Sequence, residues 1–152
     1  MKVLLDTNVV LEYLIQREQY ETVRVMFMRM ERLATEMFIS VGGFYTMLFL
    51  VDKFLRRERS LVGEKRIQTL RWMMEGILHV IHVAEHDKES LLRGITDTNY
   101  RDLEDSCQYQ VAAKTGCNYI ISFNVSDFPK VKDAQVQVLT PQQFLDLSAN
   151  LL

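Results

Sequence analysis

The chain has 152 residues, of which 48% are hydrophobic, and a formal net charge of −2 at pH 7. This length and apolar content are typical of one globular domain, so we expect a single domain over residues 1–152. The charge excludes a protein that coats nucleic acid by bulk charge, and the lack of an apolar run of about 18 residues excludes a membrane span. With two cysteines outside any ligand-like spacing and no signal peptide before the first strand, we expect a cytoplasmic protein with no membrane attachment.

Short β-prone runs alternate with longer helical patterns along the whole chain. The patterns predict strands over residues 3–5, 37–39, 77–83, 117–122 and 136–139. They predict helices over residues 9–15, 20–34, 44–55, 64–75, 87–94 and 102–115, and a last helix that begins at Thr140-Pro141. This alternation is typical of an α/β fold in which helices cover both faces of a mainly parallel sheet of about five strands.

The helix predicted over residues 44–55 is almost entirely apolar. Such a helix needs a second surface to pack against, and a chain of this length has a limited core with which to cover it. We therefore expect a homodimer with this helix at the contact.

The three histidines do not suggest a metal site. His79 and His82 lie three apart in a predicted strand, where their side chains point to opposite faces, and His86 follows at a helix start. We interpret all three as structural or solvent-facing.

Asp6 directly follows the first predicted strand. In parallel α/β sheets the ligand crevice lies beyond the carboxyl ends of the strands, so this carboxylate is a candidate site residue. The alternative is a helix cap, because Asp, Thr and Asn are all preferred N-caps and a helix starts close by.

Two more polar clusters follow at equivalent places: Asp102, Glu104 and Asp105 open a helix, and Asn124 with Asp127 follows the strand of residues 117–122. Asp102 is expected to cap its helix. Carboxylates that converge repel one another, so the arrangement favours a bound cation, and oxygen ligands without Cys or His suit Mg²⁺ or Mn²⁺. Such ions support phosphodiester hydrolysis, so the sequence indicates a metal-dependent nuclease.

Residues 52–71 carry seven basic and three acidic side chains, a local charge of +4 in an otherwise acidic chain. We expect this basic arm to hold the phosphates of RNA. The alternative for each residue is an ordinary solvated helix face. The candidate contacts are Lys53, Arg56, Arg57, Lys65 and Arg66.

Two segments, KVLLDTNVVLEYLIQRE near the start and DLEDSCQYQVAAKTGCNYIISFNVSDF from Asp102 to Phe128, resemble the PIN domain family, in particular its bacterial toxin-like branch. The resemblance implies a PIN-like three-layer α/β/α sandwich, a divalent cation held by three or four acids, and endoribonuclease activity. It also implies, as a partner, the small antitoxin that many such proteins have.

The family's site residues map onto this chain one by one. Asp6 matches the first acid, Asp105 the third, and the pair Asn124 and Asp127 the last acidic position, so the implied metal ligands are Asp6, Asp105, Asp127 and Asn124. Supporting positions match at Asn8, Ser122, Asp102 and Glu104.

One position departs from the family. The second acid would fall at Thr46, six residues after Ser40, and Asp52 lies about 120° further around that helix and cannot replace it. Thr46 can hold a metal-bound water through its hydroxyl but carries no charge. The alternative function is therefore a PIN-fold module that binds RNA or protein with little catalysis.

A phosphatase of the haloacid dehalogenase type also begins with an Asp after an apolar strand. That chemistry needs a second Asp two residues later as general acid, and this chain has Asn8 there. The sequence therefore disfavours it.

Overall fold

The computed structural model describes residues 1–130 and 134–149; the predicted domain of residues 1–152 includes six positions outside these ranges. The described residues form five β-strands and seven α-helices. The strands are β1 (Lys2–Leu5), β2 (Glu36–Ser40), β3 (His82–Ala84), β4 (Tyr119–Ile121) and β5 (Gln137–Leu139). The helices are α1 (Thr7–Leu14), α2 (Tyr20–Arg32), α3 (Val41–Arg57), α4 (Gly63–Leu78), α5 (Lys88–Thr96), α6 (Leu103–Thr115) and α7 (Pro141–Ser148). None of these helices is both long and apolar enough to cross a bilayer.

The five strands form one parallel sheet in the order β3-β2-β1-β4-β5. Successive residues of β1 point to opposite faces, so Val3 and Leu5 enter one core while Leu4 enters the other. Helices α1 to α4 and α7 cover the first face, and α6, with α5 packed on it, covers the second. The predicted α/β architecture of helix, sheet and helix layers is confirmed.

The strand predicted over residues 77–83 is wrong in its extent. Ile77 and Leu78 belong to α4, because Met74 and Ile77 lie on the same buried face of that helix. Only His82–Ala84 pair with β2 as an edge strand. The apolar residues of a buried helix end and those of a short strand give the same local signal, and the period of the pattern cannot separate them.

Helix α3 begins three residues earlier than predicted, at Val41. The Ser40 side chain caps it by accepting a hydrogen bond from the Gly43 backbone N–H at 2.9 Å. A Cβ atom on Gly43 would lie 3.0 Å from Thr7 Oγ1, so this glycine lets the start of α3 approach α1 closely. Gly42 and Gly43 therefore belong to the first turn of the helix and do not precede it.

Most of the apolar surface of α3 is covered within the chain. Met47, Val51 and Leu55 are buried against the core. On this helix, Tyr45 and Phe49 are the large apolar side chains that are exposed by more than half. The apolar surface of α3 that lacks a partner is therefore smaller than the sequence suggested. The homodimer stays a prediction.

Helices α5 and α6 pack at unusually short range. A Cβ atom on Gly94 would lie 2.7 Å from Cys107 Sγ and 2.9 Å from Cys107 Cα. Ser106 donates a hydrogen bond from its hydroxyl to the Gly94 carbonyl at 2.8 Å. This contact fixes α6 against α5 and with it the first turn of α6, where Asp105 lies.

Candidate active site

Asp6 is buried at the end of β1, with 6% of its surface exposed. It occupies the N-cap position of α1, yet its side chain makes no capping hydrogen bond. Its carboxylate instead accepts hydrogen bonds from Ser122 Oγ at 2.8 Å and from Gln108 Nε2 at 3.4 Å. The structure therefore contradicts the capping alternative: the carboxylate is turned toward β4 and α6.

Parallel pairing brings Ser122 to this position. The strands β1 and β4 are in register at Leu5 and Ile121, and the Asp6 N–H donates to the Ile121 carbonyl at 2.9 Å. The residues that follow the two strands are thus neighbours. The buried Ser122 hydroxyl donates to Asp6 and accepts from the Asn124 N–H at 3.0 Å, which holds the following turn.

The acids at the start of α6 have two different roles: one caps the helix and another lies in the candidate site. Asp102 caps the helix, as predicted, by accepting from the N–H groups of Glu104 at 2.8 Å and Asp105 at 3.3 Å. Asp105 follows in the first turn and is half-buried. Glu104 stands beside it on the exposed side.

The pKa of Asp105 is raised from its ordinary value of 3.8 to about 7. Burial is the largest cause, followed by the negative charges of Asp102, Asp6, Asp127 and Glu104. Burial, followed by the charges of Asp102 and Asp6, also raises the pKa of Glu104. The acids from the three predicted clusters are therefore close enough to repel one another.

Asn124, Asp127 and Asn8 lie on the solvent-exposed side of the candidate site. Asn124 and Asp127 are exposed in and around a short 3₁₀ turn, Val125–Asp127, that follows β4. Asn8 is exposed in the first turn of α1. The structure therefore places all three beyond the carboxyl ends of β1 and β4, on the same side as Asp6.

The carboxylates of the site suit a hard divalent cation, but three of them do not cluster around one point in the described ranges. Within residues 1–130 and 134–149, no Lys, Arg or His forms an ion pair with Asp6, Asp102, Glu104, Asp105 or Asp127. Within the same ranges no three acidic, His or Cys side chains are arranged to ligate one ion together. Mg²⁺ often binds through one or two carboxylates and keeps several waters, so Asp6 and Asp105 fit such an ion.

Thr46 lies exposed on α3, in the wall of a cleft that Glu104 and Gln108 also line. Its hydroxyl adds no negative charge to the acids. Asp52 does not compensate, because it pairs with Arg66 at 2.9 Å and with Arg56 at 3.3 Å.

The basic arm lies at the far end of α3 and the start of α4. At 1.5 Å per residue, Arg57 is roughly 16 Å along the helix axis from Thr46. Arg66 donates to both oxygens of Asp52, which occupies its guanidinium. Lys53, Arg57 and Lys65 form no ion pair within the described part of the chain. The arm therefore does not line the carboxylate cluster, and its contact with RNA stays a prediction.

Gln108 is the site residue that the sequence reading missed. It is buried, with 5% of its surface exposed, and it reaches Asp6 from the second turn of α6. Its position three residues after Asp105 places it on the same face of the helix, which is the signal that could have revealed it.

The histidines have the structural or solvent-facing surroundings that were predicted, although His79 caps the end of α4 and does not lie in a strand. His79 is exposed and stands 3.7 Å from Glu75, and the ring of His82 packs on Phe38 at 5.2 Å. His86 lies between β3 and α5, where burial lowers its pKa.

Comparisons with known proteins agree with the predicted resemblance. The family model described as PIN domain matches residues 2–126. Ribonuclease VapC1 of Aquifex aeolicus (strain VF5) is 25% identical over 148 residues, which are 95% of this chain and 94% of that protein.

Two solved structures share the fold. VapBC2 from Rickettsia felis, bound to a DNA fragment from its promoter, gives a TM-score of 0.61 at 11% identity and covers 92% of this chain and 98% of the other. VapBC-1 from nontypeable Haemophilus influenzae gives 0.61 at 16% identity and covers 93% and 99%. The chain belongs to the PIN domain family and is similar to the VapC-like branch of that family.

Proposed function

We propose that this protein is a Mg²⁺- or Mn²⁺-dependent endoribonuclease that hydrolyses phosphodiester bonds of RNA. One observation carries the proposal: the acids around Asp6 and Asp105 repel one another, and no basic side chain in the described ranges neutralises them. A bound cation would supply the missing positive charge. The similarity to a protein named a ribonuclease supports the choice of reaction.

In this mechanism the chain's own residues hold and orient the carboxylates. Ser122 and Gln108 fix the two oxygens of Asp6, and the first turn of α6 places Asp105 beside it. We propose Asp6 and Asp105 as ligands of the cation and Asp127, from the exposed side, as a third, with Asn8 and Asn124 orienting these acids or a bound water. When bound, the cation would lower the pKa of a bound water and stabilise the leaving oxygen.

We also propose the partners that this function implies. The matched structures from Rickettsia felis and Haemophilus influenzae are of VapBC proteins, which supports a small antitoxin as partner and a toxin role for this chain. RNA as substrate, a homodimer and a cytoplasmic location belong to the same proposal.

The test is cleavage of single-stranded RNA by the purified protein. We expect cleavage with Mg²⁺ or Mn²⁺, none with EDTA, and none by Asp6→Asn. Asp146→Asn is the matched control, because Asp146 is an exposed acid on α7 that pairs only with Gln142 in the described structure. Cleavage that survives EDTA or the Asp6 substitution would refute the proposal.

A second candidate is the PIN-fold module with little catalysis. Thr46 in place of an acid, and the absence of three clustered ligands in the described ranges, favour it. Titration calorimetry with Mn²⁺ separates the two candidates. The nuclease binds the ion and gains affinity in Thr46→Glu, whereas the module shows no binding at millimolar ion and no gain.

A further inference from the structure

A cleft of about 680 Å³ opens beside the carboxylate cluster, with Glu104 and Gln108 in its wall. It lies between the start of α3, the connection from β3 to α5, and the facing sides of α5 and α6. Glu104 and Gln108 belong both to its wall and to the surroundings of Asp6 and Asp105. A group seated in the cleft is therefore next to whatever is bound at Asp6.

The wall formed by α5 and α6 is apolar and open to solvent. Leu91, Ile95 and Leu103 are exposed by 42%, 54% and 47%, although all three are aliphatic. The first turn of α3 also lines the cleft, and Gly42 carries no side chain there. Exposed aliphatic side chains in a cleft with little side-chain bulk at Gly42 suit the face of a flat ring, and the volume is that of an ordinary small-ligand site.

The charge in the cleft is negative. Glu85 and Glu104 are the acidic lining groups, and burial lowers the pKa of His86, which also lines the cleft. None of the described lining residues is Lys or Arg. A phosphate would be repelled here, whereas hydrogen-bond donors of a ligand would be accepted by the carboxylates.

We propose that this cleft binds the base of an RNA nucleotide adjacent to the bond that is cut, and that it selects bases with an exocyclic amino group. Guanine, cytosine and adenine present such donors to a carboxylate, whereas uracil has only its ring N–H flanked by two carbonyls. The inference rests on the proposed function, since it names a recognition element of the same site. Glu85 is the selecting side chain, because it lines the cleft and has no ion pair within the described residues.

The test uses free nucleosides, which report on the cleft without any cleavage. The full chain with labelled Ile and Leu methyl groups is titrated with guanosine, cytidine, adenosine or uridine and followed by NMR. We expect shifts at Leu91, Ile95 and Leu103 and none at Leu147, an exposed leucine on α7. The three amino-bearing nucleosides should bind at least about fivefold more tightly than uridine, and Glu85→Leu should remove that difference.

The outcomes separate this inference from the nuclease itself. Binding that persists in Asp6→Asn, or in a wild type that does not cleave RNA, upholds the base site independently of catalysis. Cleavage of RNA without methyl shifts, or with equal binding of uridine, overturns the base site and leaves the nuclease intact. Analytical ultracentrifugation of the same samples adds one outcome: a dimer that protects these three side chains and blocks every nucleoside also overturns it.

Discussion

The charge on Asp105 should cost the metal-free protein stability, and Asp105→Asn should recover it. In the folded protein the pKa of Asp105 is about 7, against 3.8 ordinarily, so the folded state holds this proton to higher pH than the unfolded chain. The contribution of Asp105 to the free energy of unfolding therefore falls as pH rises from about 4 to about 7 and then stays level. Asparagine has the same shape and no charge to repel.

The magnitude follows from the same numbers. A rise in pKa from 3.8 to about 7 corresponds to about 4 kcal/mol if fully expressed. Asp105 is only half-buried, and water screens its interaction with the neighbouring acids, so we expect about 1–2 kcal/mol. The variant should be more stable by this amount at pH 8, and by nothing below pH of about 4.

The assay is urea denaturation followed by circular dichroism, in EDTA, at intervals from pH 4 to pH 8. Asp146→Asn controls for the loss of a surface acid and should change the free energy of unfolding by less than about 0.5 kcal/mol. Added Mn²⁺ should reverse the order at pH 8, because ion binding stabilises the wild type by mass action. Equal stability of wild type and Asp105→Asn at pH 8 in EDTA would refute the reasoning that these acids are uncompensated.

Three further predictions concern packing, positioning and the basic arm. Gly94→Ala should destabilise the fold by about 1–3 kcal/mol in urea, because its Cβ would meet the Cys107 backbone at 2.9 Å, whereas Gly76→Ala, with no atom within 4 Å, should be neutral or stabilising. Gln108→Leu should keep the fold but weaken Mn²⁺ binding about tenfold in calorimetry, since it frees one oxygen of Asp6; unchanged affinity would mean that Gln108 only packs. Arg66→Ala should lower the free energy of unfolding by about 1 kcal/mol in urea denaturation, because its pairing with Asp52 is lost. Arg57→Ala should leave the free energy of unfolding unchanged and weaken only RNA binding, as measured by filter binding.

The sheet and the three acidic clusters were predictable because each rests on a local pattern. An apolar run that ends in Asp6, and another that ends in Ser122, mark strand ends without any long-range information. Once the strands are taken as parallel, their carboxyl ends must share one edge, so the meeting of Asp6 with Ser122 and the turn of Asp127 followed from topology.

What escaped prediction depends on contacts between distant residues. The predicted extent of β3 was wrong because Ile77 and Leu78 are the last two residues of α4, whose burial depends on its neighbours. Gln108 was missed because a glutamine on a helix is ordinarily exposed, and only the fold turns it toward Asp6. The pairing of Arg66 with Asp52 likewise joins side chains 14 positions apart on two different helices.

The hydrogen bond between Asp6 and Ser122 joins residues 116 positions apart. Chains are synthesised from the amino terminus, and β1 occupies the centre of the sheet, whereas its partner β4 is made after β2 and β3. A nascent chain that ends before residue 119 can have β1, β2 and β3 in place, yet its Asp6 has neither Ser122 nor the turn of Asp127 beside it. The site is therefore completed only after residue 127 has been made, and translation that stops earlier yields fragments without it.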